Sequence, residues 1–185
     1  MDPYTNPDSQ TDRTQQAMVT RLEERGQHAF FQKMIDDYVD SIPSDQPARA
    51  LDLGCGTGVV ARRLANALHP DSEIHGADIS DVLLAEGRRQ DVAQDIHWDH
   101  IQPGALPYEE RSFDVIVMHT LLSHVPNPLS LLQETARILA PTGQLIVFDA
   151  DHAGTTYGQE SYEAMRRVDH LLTSAVATHP DLCRQ

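Results

Sequence analysis

The most distinctive chemistry in the chain lies in a glycine-rich stretch between a short apolar segment and an amphipathic one. Residues 51–58 read LDLGCGTG. Glycine lets the backbone turn sharply and approach a ligand without a Cβ atom in the way, and N–H groups at a helix start attract negative or polar groups. Asp78 follows Gly58 by twenty residues, at the end of the next strand-like segment. A carboxylate there can accept two hydrogen bonds from a ribose diol, so these residues predict a ligand that carries a nucleoside.

The spacing of the glycines separates this stretch from a dinucleotide-binding loop. Gly54, Gly56 and Gly58 follow the pattern G-x-G-x-G. The dinucleotide fingerprint G-x-G-x-x-G would need a glycine where Val59 stands. Asp52 lies two residues before the first glycine, where its carboxylate would repel a pyrophosphate but could hold an ammonium group, directly or through water. Both features favour a ligand that is a nucleoside and an amino acid, and they argue against a nicotinamide-dependent oxidoreductase.

Five strand-like segments alternate with helical patterns and would position these residues. The segments cover residues 48–53, 73–79, 96–101, 113–118 and 143–149. The fourth, FDVIVM, is almost continuously apolar, which is typical of a strand buried on both faces. Strands separated by helices predict an α/β fold with a Rossmann-like, doubly wound, mostly parallel sheet. Ligands of such sheets bind at the carboxyl ends of the strands, where the glycine-rich stretch and Asp78 would meet.

Helical patterns also precede and follow this core. Residues 14–42 repeat apolar positions at three- and four-residue spacing, and we expect two helices that divide at Gly26. Residues 157–178 predict a long amphipathic helix. The chain is therefore expected to comprise an N-terminal helical extension or lid, residues 1–46, and a ligand-binding domain, residues 47–185, which could be truncated at its C-terminus.

The composition argues against several other classes of protein. The 185 residues suit one domain, and 28 acidic against 14 basic side chains give a net charge of −14, which disfavours nucleic acids and anionic membranes as partners. The sequence shows neither an apolar run of membrane-spanning length nor a secretory signal pattern. Cys55 and Cys183 make no disulfide framework, and the histidines lack metal-ligand spacing. We expect no metal and a cytoplasmic location.

A series of motifs in order along the chain resembles a known family. They are LDLGCGTG at 51–58, GADIS at 76–80, ALPYEERSFDVIV at 105–117, LLSHVPNP at 121–128 and ETARILAPTGQLIVFD at 134–149. Together they resemble the class I S-adenosylmethionine-dependent methyltransferases, in particular the small-molecule type similar to the ubiquinone/menaquinone-biosynthesis (methyltransferase type 11) group. The resemblance implies S-adenosylmethionine as methyl donor, S-adenosylhomocysteine as product and a small-molecule O, N or C acceptor.

The same resemblance implies roles for individual residues. Around the methionine end of the cofactor it places Asp52, Gly54, Cys55, Gly56 and Gly58. Asp78 would accept hydrogen bonds from the ribose hydroxyls. Ile79 would pack on the adenine, with Leu83 nearby. His119 would face the methionine end of the cofactor or the acceptor.

The chain departs from the family pattern in two places. Gln102 stands where an aspartate usually reads the adenine amino group, although its side-chain carbonyl can still accept a hydrogen bond, and Pro103 beside it lacks a backbone donor. The family sheet usually ends with a hairpin after the last long helix, whereas the printed chain ends at Gln185. We expect the segment 143–149 to be an exposed edge. An incomplete chain, a homodimer that covers this edge or an open substrate side would each account for it.

Catalysis by this family implies a direct in-line displacement, which is accelerated by holding donor and acceptor in a near-attack geometry. A base is needed only if the acceptor must lose a proton. Candidates for a catalytic role are His124, Asp149 and His152. Each has a structural alternative: His124 could orient its loop, Asp149 could cap the end of its strand, and His152 could be a surface residue. His119 could serve as a base or as part of the cofactor wall. The alternative function is a non-catalytic module that acts through binding or dimerisation.

Overall fold

A five-stranded parallel sheet with helices on both faces organises the protein. The computed structural model describes residues 3–92 and 94–149. The strands are β1 (Arg49–Leu53), β2 (Glu73–Asp78), β3 (His97–His100), β4 (Phe113–His119) and β5 (Leu139–Phe148). Their order is β3-β2-β1-β4-β5, and every pairing is parallel. This arrangement confirms the predicted Rossmann-like α/β fold.

Five α-helices and three short 3-10 turns accompany the strands in the described part of the chain. The helices are α1 (Asp12–Gln27), α2 (Ala29–Val39), α3 (Val59–Ala67), α4 (Asp81–Gln90) and α5 (Pro128–Ile138). The 3-10 turns are Pro3–Thr5, Pro7–Ser9 and Leu122–His124. None of the described helices is long and apolar enough to cross a bilayer. The helix predicted at 157–178 lies outside the described residues, and the domain division at residue 46 stays a prediction.

The core forms two apolar layers, one on each face of the sheet. Successive residues of a strand point to opposite faces, so Ala50 of β1 packs in the layer with α2 and α3, whereas Leu51 packs in the layer with α5. Val117 and Ile116 of β4 divide in the same way. The strand order reverses between β1 and β4, and a crevice at their carboxyl ends is the usual ligand site of such a sheet.

The division between the first two helices lies two residues beyond the predicted one. Gly26 is inside α1, and His28 separates the helices by accepting a hydrogen bond from Phe30 N through Nδ1 (3.3 Å). Gly26 has a packing role, because a Cβ atom there would lie 2.7 Å from the methyl carbons of Val59. The glycine therefore brings α1 against α3, beside the glycine-rich loop.

Strand β5 begins earlier than predicted and follows α5 directly. Leu139 pairs with Phe113, and after a register shift Gln144 pairs with Val115. The three additional residues on this side of the ladder include Pro141, which a bulge on an edge strand accommodates because no ladder hydrogen bond is needed there. Within the described residues β5 lies at one end of the sheet, and its side chains are half-buried or exposed. Whether this edge is uncovered depends on residues outside the described ones, so the exposed edge stays a prediction. A homodimer along this edge stays a prediction.

Three glycines form a flat surface beneath the ring of Trp98 on β3. A Cβ atom would approach the ring atoms to 2.1 Å at Gly58, 3.0 Å at Gly76 and 2.5 Å at Gly87. The indole Nε1 donates to the Asp91 carboxylate at 3.1 Å. The tryptophan therefore packs on backbone from the glycine-rich loop, β2 and α4.

This packing predicts that Gly87→Ala destabilises the protein. Alanine usually improves a helix interior by about 1 kcal/mol, but overpacking against the ring should cost roughly 1–3 kcal/mol. Urea unfolding should show a net loss. In a Trp98→Phe background, where the ring is smaller, the same substitution should become neutral or stabilising; a Gly87→Ala protein more stable than the parent would contradict the packing.

Candidate functional site

The glycine-rich loop leaves β1 in a conformation that only glycine adopts readily. Gly54 and Gly56 have φ values of +76° and +55°, in the left-handed region. Gly54 N and Cys55 N both donate to Ala77 O, at 2.8 and 3.0 Å, which ties the loop to β2. A Cβ atom on Gly54 would lie 2.5 Å from Leu121 Cδ1. The loop is therefore fixed from both sides and presents its backbone to the crevice.

Asp52 links β1 to the start of α3. Its side chain is 1% exposed, and Oδ2 accepts a hydrogen bond from Ala61 N at 2.9 Å. Burial, aided by the nearby charge of Asp78, raises the pKa of Asp52 to about 7. A cation placed beside this carboxyl group would favour its ionised form. That Asp52 holds an ammonium group stays a prediction.

Asp78 connects the glycine-rich loop to the start of α4. Its Oδ2 accepts from Gly56 N at 2.8 Å, and its Oδ1 accepts from Ser80 N at 3.0 Å. Burial raises the pKa of Asp78 above its usual value. Each carboxylate oxygen can accept more than one hydrogen bond, so the group can hold the loop and a diol together.

These elements enclose a cavity of about 580 Å³, a size typical of small-molecule sites. Ten of the eleven residues predicted to bind the cofactor line it. They are Asp52, Gly54, Cys55, Gly56, Asp78, Ile79, Leu83, Gln102, Pro103 and His119. Gly58 is the exception: it caps the N-terminus of α3 with φ +78° and packs beneath Trp98. Burial raises the pKa of the Cys55 thiol well above its usual value, which suits a filler rather than a nucleophile.

His119 ends β4 within an aromatic group at the wall of the cavity. The Tyr38 hydroxyl lies 3.0 Å from its Nδ1, and the Phe148 ring stacks on it with centroids 4.9 Å apart. Burial, with the positive charge of Arg25, lowers the pKa of His119 to about 4. The imidazole is therefore neutral near pH 7. The sequence does not indicate that Tyr38 contacts His119, because Tyr38 stands among the other apolar positions of α2.

The three predicted catalytic residues have different positions. His124 lines the cavity, and its ring lies 5.4 Å from that of Tyr4. Asp149 is not among the cavity-lining residues; its Oδ2 accepts from Ser123 N at 3.0 Å, at the turn that follows β4. His152 lies outside the described residues. The structure therefore brings one of the three to the wall of the cavity.

The segment before α1, here called the N-terminal strap (Pro3–Ser9), lies against the same cavity. Pro3, Tyr4, Thr5 and Pro7 contribute to its wall. Asp8 anchors the strap to the start of α4, because its carboxylate accepts from Ser80 Oγ (2.5 Å) and Asp81 N (2.8 Å). These hydrogen bonds outweigh partial burial and lower the pKa of Asp8. No sequence pattern distinguished Asp8, since its partners are distant along the chain.

Comparison with known proteins gives similarity over the described core. A family model described as "Methyltransferase domain" matches residues 51–145. The chain is 32% identical over 105 residues to a demethylmenaquinone methyltransferase of Bacillus cytotoxicus, covering 55% of this chain and 44% of that protein. It is 28% identical over 158 residues to an uncharacterized 37.1 kDa protein in transposon TN4556 of Streptomyces fradiae, covering 84% of this chain and 44% of that protein. The chain thus spans less than half the length of these relatives.

A solved structure shows the same fold over most of the chain. An S-adenosylmethionine-dependent methyltransferase from Aquifex aeolicus superposes with a TM-score of 0.65 at 14% identity, over 90% of this chain and 88% of that one. At this identity the likeness concerns the fold.

Removal of the strap anchor by Asp8→Ala should cost about 1 kcal/mol of stability at neutral pH, as for loss of a helix cap. The folded pKa of Asp8 is lowered, so its contribution is present above the unfolded pKa of about 4 and is lost as the pH falls through the folded value. Urea unfolding of both proteins from neutral to acidic pH should show the difference shrinking. Asp45→Ala, an exposed loop substitution, is the charge-matched control and should show no such difference.

The buried neutral state of His119 predicts a second pH dependence. Its folded pKa is about 4 and its unfolded pKa about 6.5, so between these values the unfolded chain binds more protons and stability falls as the pH is lowered. His119→Phe should remove this component, on the order of 1–3 kcal/mol. The difference between the two unfolding curves isolates it from other titrations, and His69→Gln controls for loss of a histidine elsewhere. Parallel curves for wild type and His119→Phe would contradict the assignment.

Proposed function

The chain belongs to the methyltransferase domain family, and on this basis we propose that it transfers the methyl group of S-adenosylmethionine to a small-molecule O, N or C acceptor, with S-adenosylhomocysteine as product. The observation that carries the proposal is the hydrogen bond from Gly56 N to the Asp78 carboxylate in the wall of a cavity beside the carboxyl ends of β1 and β4. Asp52 opens into the same cavity. A ligand with a ribose at one end and an amino acid at the other suits this arrangement.

The residues of the cavity divide between the two ends of the cofactor. Asp78 accepts from the ribose hydroxyls, and Asp52 holds the methionine ammonium. The ammonium charge favours the ionised form of the Asp52 carboxyl group, whose pKa burial raises to about 7. Ile79 and Leu83 provide an apolar surface for the adenine. Gln102, in the same wall, accepts from the adenine amino group through its side-chain carbonyl. Glycine backbone at the loop admits the methionine moiety without a Cβ atom in the way.

Positioning supplies most of the acceleration in this proposal. When bound, S-adenosylmethionine supplies an electrophilic methyl group on its sulfonium. The chain holds the acceptor in line with that methyl, since the strap, α1 and the turn after β4 all contribute walls to one cavity. Fixing both partners in a near-attack geometry replaces an unfavourable encounter in solution.

Proton removal, where the acceptor requires it, falls to the histidines of the cavity wall. The lowered pKa of His119 makes it a neutral but weak base, and its Nδ1 is engaged by the Tyr38 hydroxyl. These properties favour a positioning role for His119. His124 lines the cavity near the strap and is the better placed of the predicted bases. The hydrogen bond that Ser123 N donates to the Asp149 carboxylate supports the alternative role of Asp149 as a structural cap.

Several finer points stay predictions. Demethylmenaquinone methyltransferases are among the relatives, so a demethylmenaquinol analogue belongs in the first acceptor screen, although the chain spans 44% of that relative. The cytoplasmic location and the absence of nucleic acid, membrane and metal partners rest on the sequence analysis alone. A non-catalytic module differs from an enzyme in turnover: only an enzyme forms S-adenosylhomocysteine when an acceptor is supplied.

The cofactor assignment is tested by calorimetric titration with S-adenosylmethionine, S-adenosylhomocysteine and NAD. We expect the first two to bind and NAD to show no binding. Asp78→Asn should weaken S-adenosylhomocysteine binding roughly 10- to 100-fold, because a charge-assisted hydrogen bond contributes about 1.5–3 kcal/mol.

Asp78 also holds the loop, so the variant needs a structural control. Urea unfolding verifies that Asp78→Asn remains folded, and Asp71→Asn, an exposed substitution with the same charge change, should bind like wild type. Unchanged affinity in a folded Asp78→Asn protein, or equal binding of NAD, would overturn the assignment.

A further inference from the structure

A cluster of polar side chains lies on one face of the sheet, where β2 and β3 begin. Glu73 and His75 are two positions apart on β2, so they point to the same face of the strand. His97 lies opposite His75 in the parallel register of β2 and β3. Each of these three residues offers one ligand atom, and the three atoms lie within 4.8 Å of one another. Together with Asp99 on β3, they are here called the histidine cluster.

The hydrogen bonds of His75 orient its ring as a metal ligand would be oriented. Its Nδ1 lies 2.7 Å from Asp99 Oδ2, and its Nε2 lies 2.7 Å from Glu73 Oε1. A histidine that binds a metal usually donates its other ring N–H to a carboxylate, which fixes the tautomer and the orientation of the ring. Asp99 is itself held, because it accepts a hydrogen bond from the Tyr108 hydroxyl at 2.9 Å. Asp99 can therefore bind Nδ1–H while the Nε2 lone pair is directed at Glu73.

His97 places a second imidazole beside the first. The rings of His75 and His97 stack with centroids 4.8 Å apart. His75 is buried, whereas Glu73 and His97 are exposed, so the exposed pair can rotate toward an ion held by His75. Two imidazoles and one carboxylate form a ligand set that suits Zn²⁺, which takes such ligands at roughly 2 Å and completes a tetrahedron with water. The cluster therefore offers three ligands and one side open to solvent.

Arg49 on the neighbouring strand β1 opposes a second cation at this position. Its Nε lies 3.1 Å from Glu73 Oε1, and its Nη2 lies 3.4 Å from His75 Nε2. The guanidinium also lies over the Phe113 ring, 4.7 Å from the centroid. A metal ion bound by the cluster would share the Glu73 carboxylate with this arginine. Because like charges repel, loss of the arginine charge should strengthen metal binding.

We propose that Glu73, His75 and His97 bind a zinc ion that joins β2 to β3. The sequence analysis expected no metal because it considered ligand spacing along the chain, whereas strand pairing brings these two histidines together. The site lies at the amino ends of the strands, away from the cavity at their carboxyl ends, so the proposal does not depend on the proposed function. β3 lies at one end of the sheet. An ion that bridges it to β2 stabilises the folded chain.

The test is calorimetric titration of the full chain with Zn²⁺ after treatment with a chelator. One zinc ion per chain should bind, and His97→Gln should weaken its binding by roughly tenfold or more, since a ligand is lost. His97 is exposed, so this variant should fold like wild type, and urea unfolding without metal verifies it. His69→Gln removes a histidine away from the cluster and should keep the zinc affinity of wild type.

Further measurements separate a metal site from a group of ion pairs. Asp99→Asn should weaken zinc binding roughly 10- to 100-fold, the usual effect of losing a carboxylate that orients a ligating histidine. Arg49→Gln should strengthen zinc binding, although it removes the ion pair with Glu73. Zinc should shift the imidazole NMR signals of His75 and His97. It should also raise the urea midpoint of wild type and leave that of His97→Gln almost unchanged.

Three outcomes would overturn the proposal. Equal zinc affinity of wild type and His97→Gln would place the ion elsewhere on the acidic surface. A lack of saturable binding at millimolar zinc would leave His75 as an imidazolium paired with Glu73 and Asp99. Zinc-induced NMR shifts confined to other histidines would likewise exclude the cluster as the site.

Discussion

Two buried carboxylates hold the carboxyl edge of the sheet together, and the site depends on them. Asp52 joins β1 to the start of α3, and Asp78 joins the glycine-rich loop to the start of α4. Both bond to backbone N–H groups that a helix start or tight turn would otherwise leave without partners. Burial raises the pKa of both carboxyl groups, so in the proposed function a cationic group bound beside them would favour their ionised form.

The other walls of the cavity are attached to this edge by contacts between distant parts of the chain. The strap reaches α4 through Asp8, and Gly26 allows α1 to pack on α3. Arg62 of α3 also pairs with Glu23 of α1 at 3.0 Å, with both side chains largely buried. The N-terminal elements therefore complete the cavity without contributing to the sheet.

The sequence predicted the elements whose signals are local. Apolar or alternating segments between helical patterns located the five strands, and the glycine spacing with Asp52 and Asp78 located the loop and its two carboxylates. The two misplaced boundaries, at Gly26 and at the start of β5, have physical causes that the spacing of apolar residues does not show. Gly26 was interpreted as a helix break because its close contact with Val59 cannot be read from the sequence, and the bulge around Pro141 allowed β5 to begin before the predicted start.

The side chains beside the candidate site that sequence reasoning missed make contacts across the fold rather than along the chain. Tyr38 meets His119, Asp8 meets Ser80, and Arg25 meets Thr120, each over a separation of more than seventy residues. Such pairs follow from how helices and strands dock, which a single sequence does not specify. The family resemblance supplied roles only for positions in the motifs or near them, and the N-terminal wall precedes the first motif.

The packing of Trp98 gives the protein an intrinsic optical reporter. It is the one tryptophan in the chain, so all indole fluorescence comes from a single known position. Its ring packs against Gly58, on the same loop as Gly54 and Gly56, although Trp98 itself does not line the cavity. A ligand that tightens the loop changes the surroundings of the fluorophore without touching it, and loop motion becomes visible in solution without any added label.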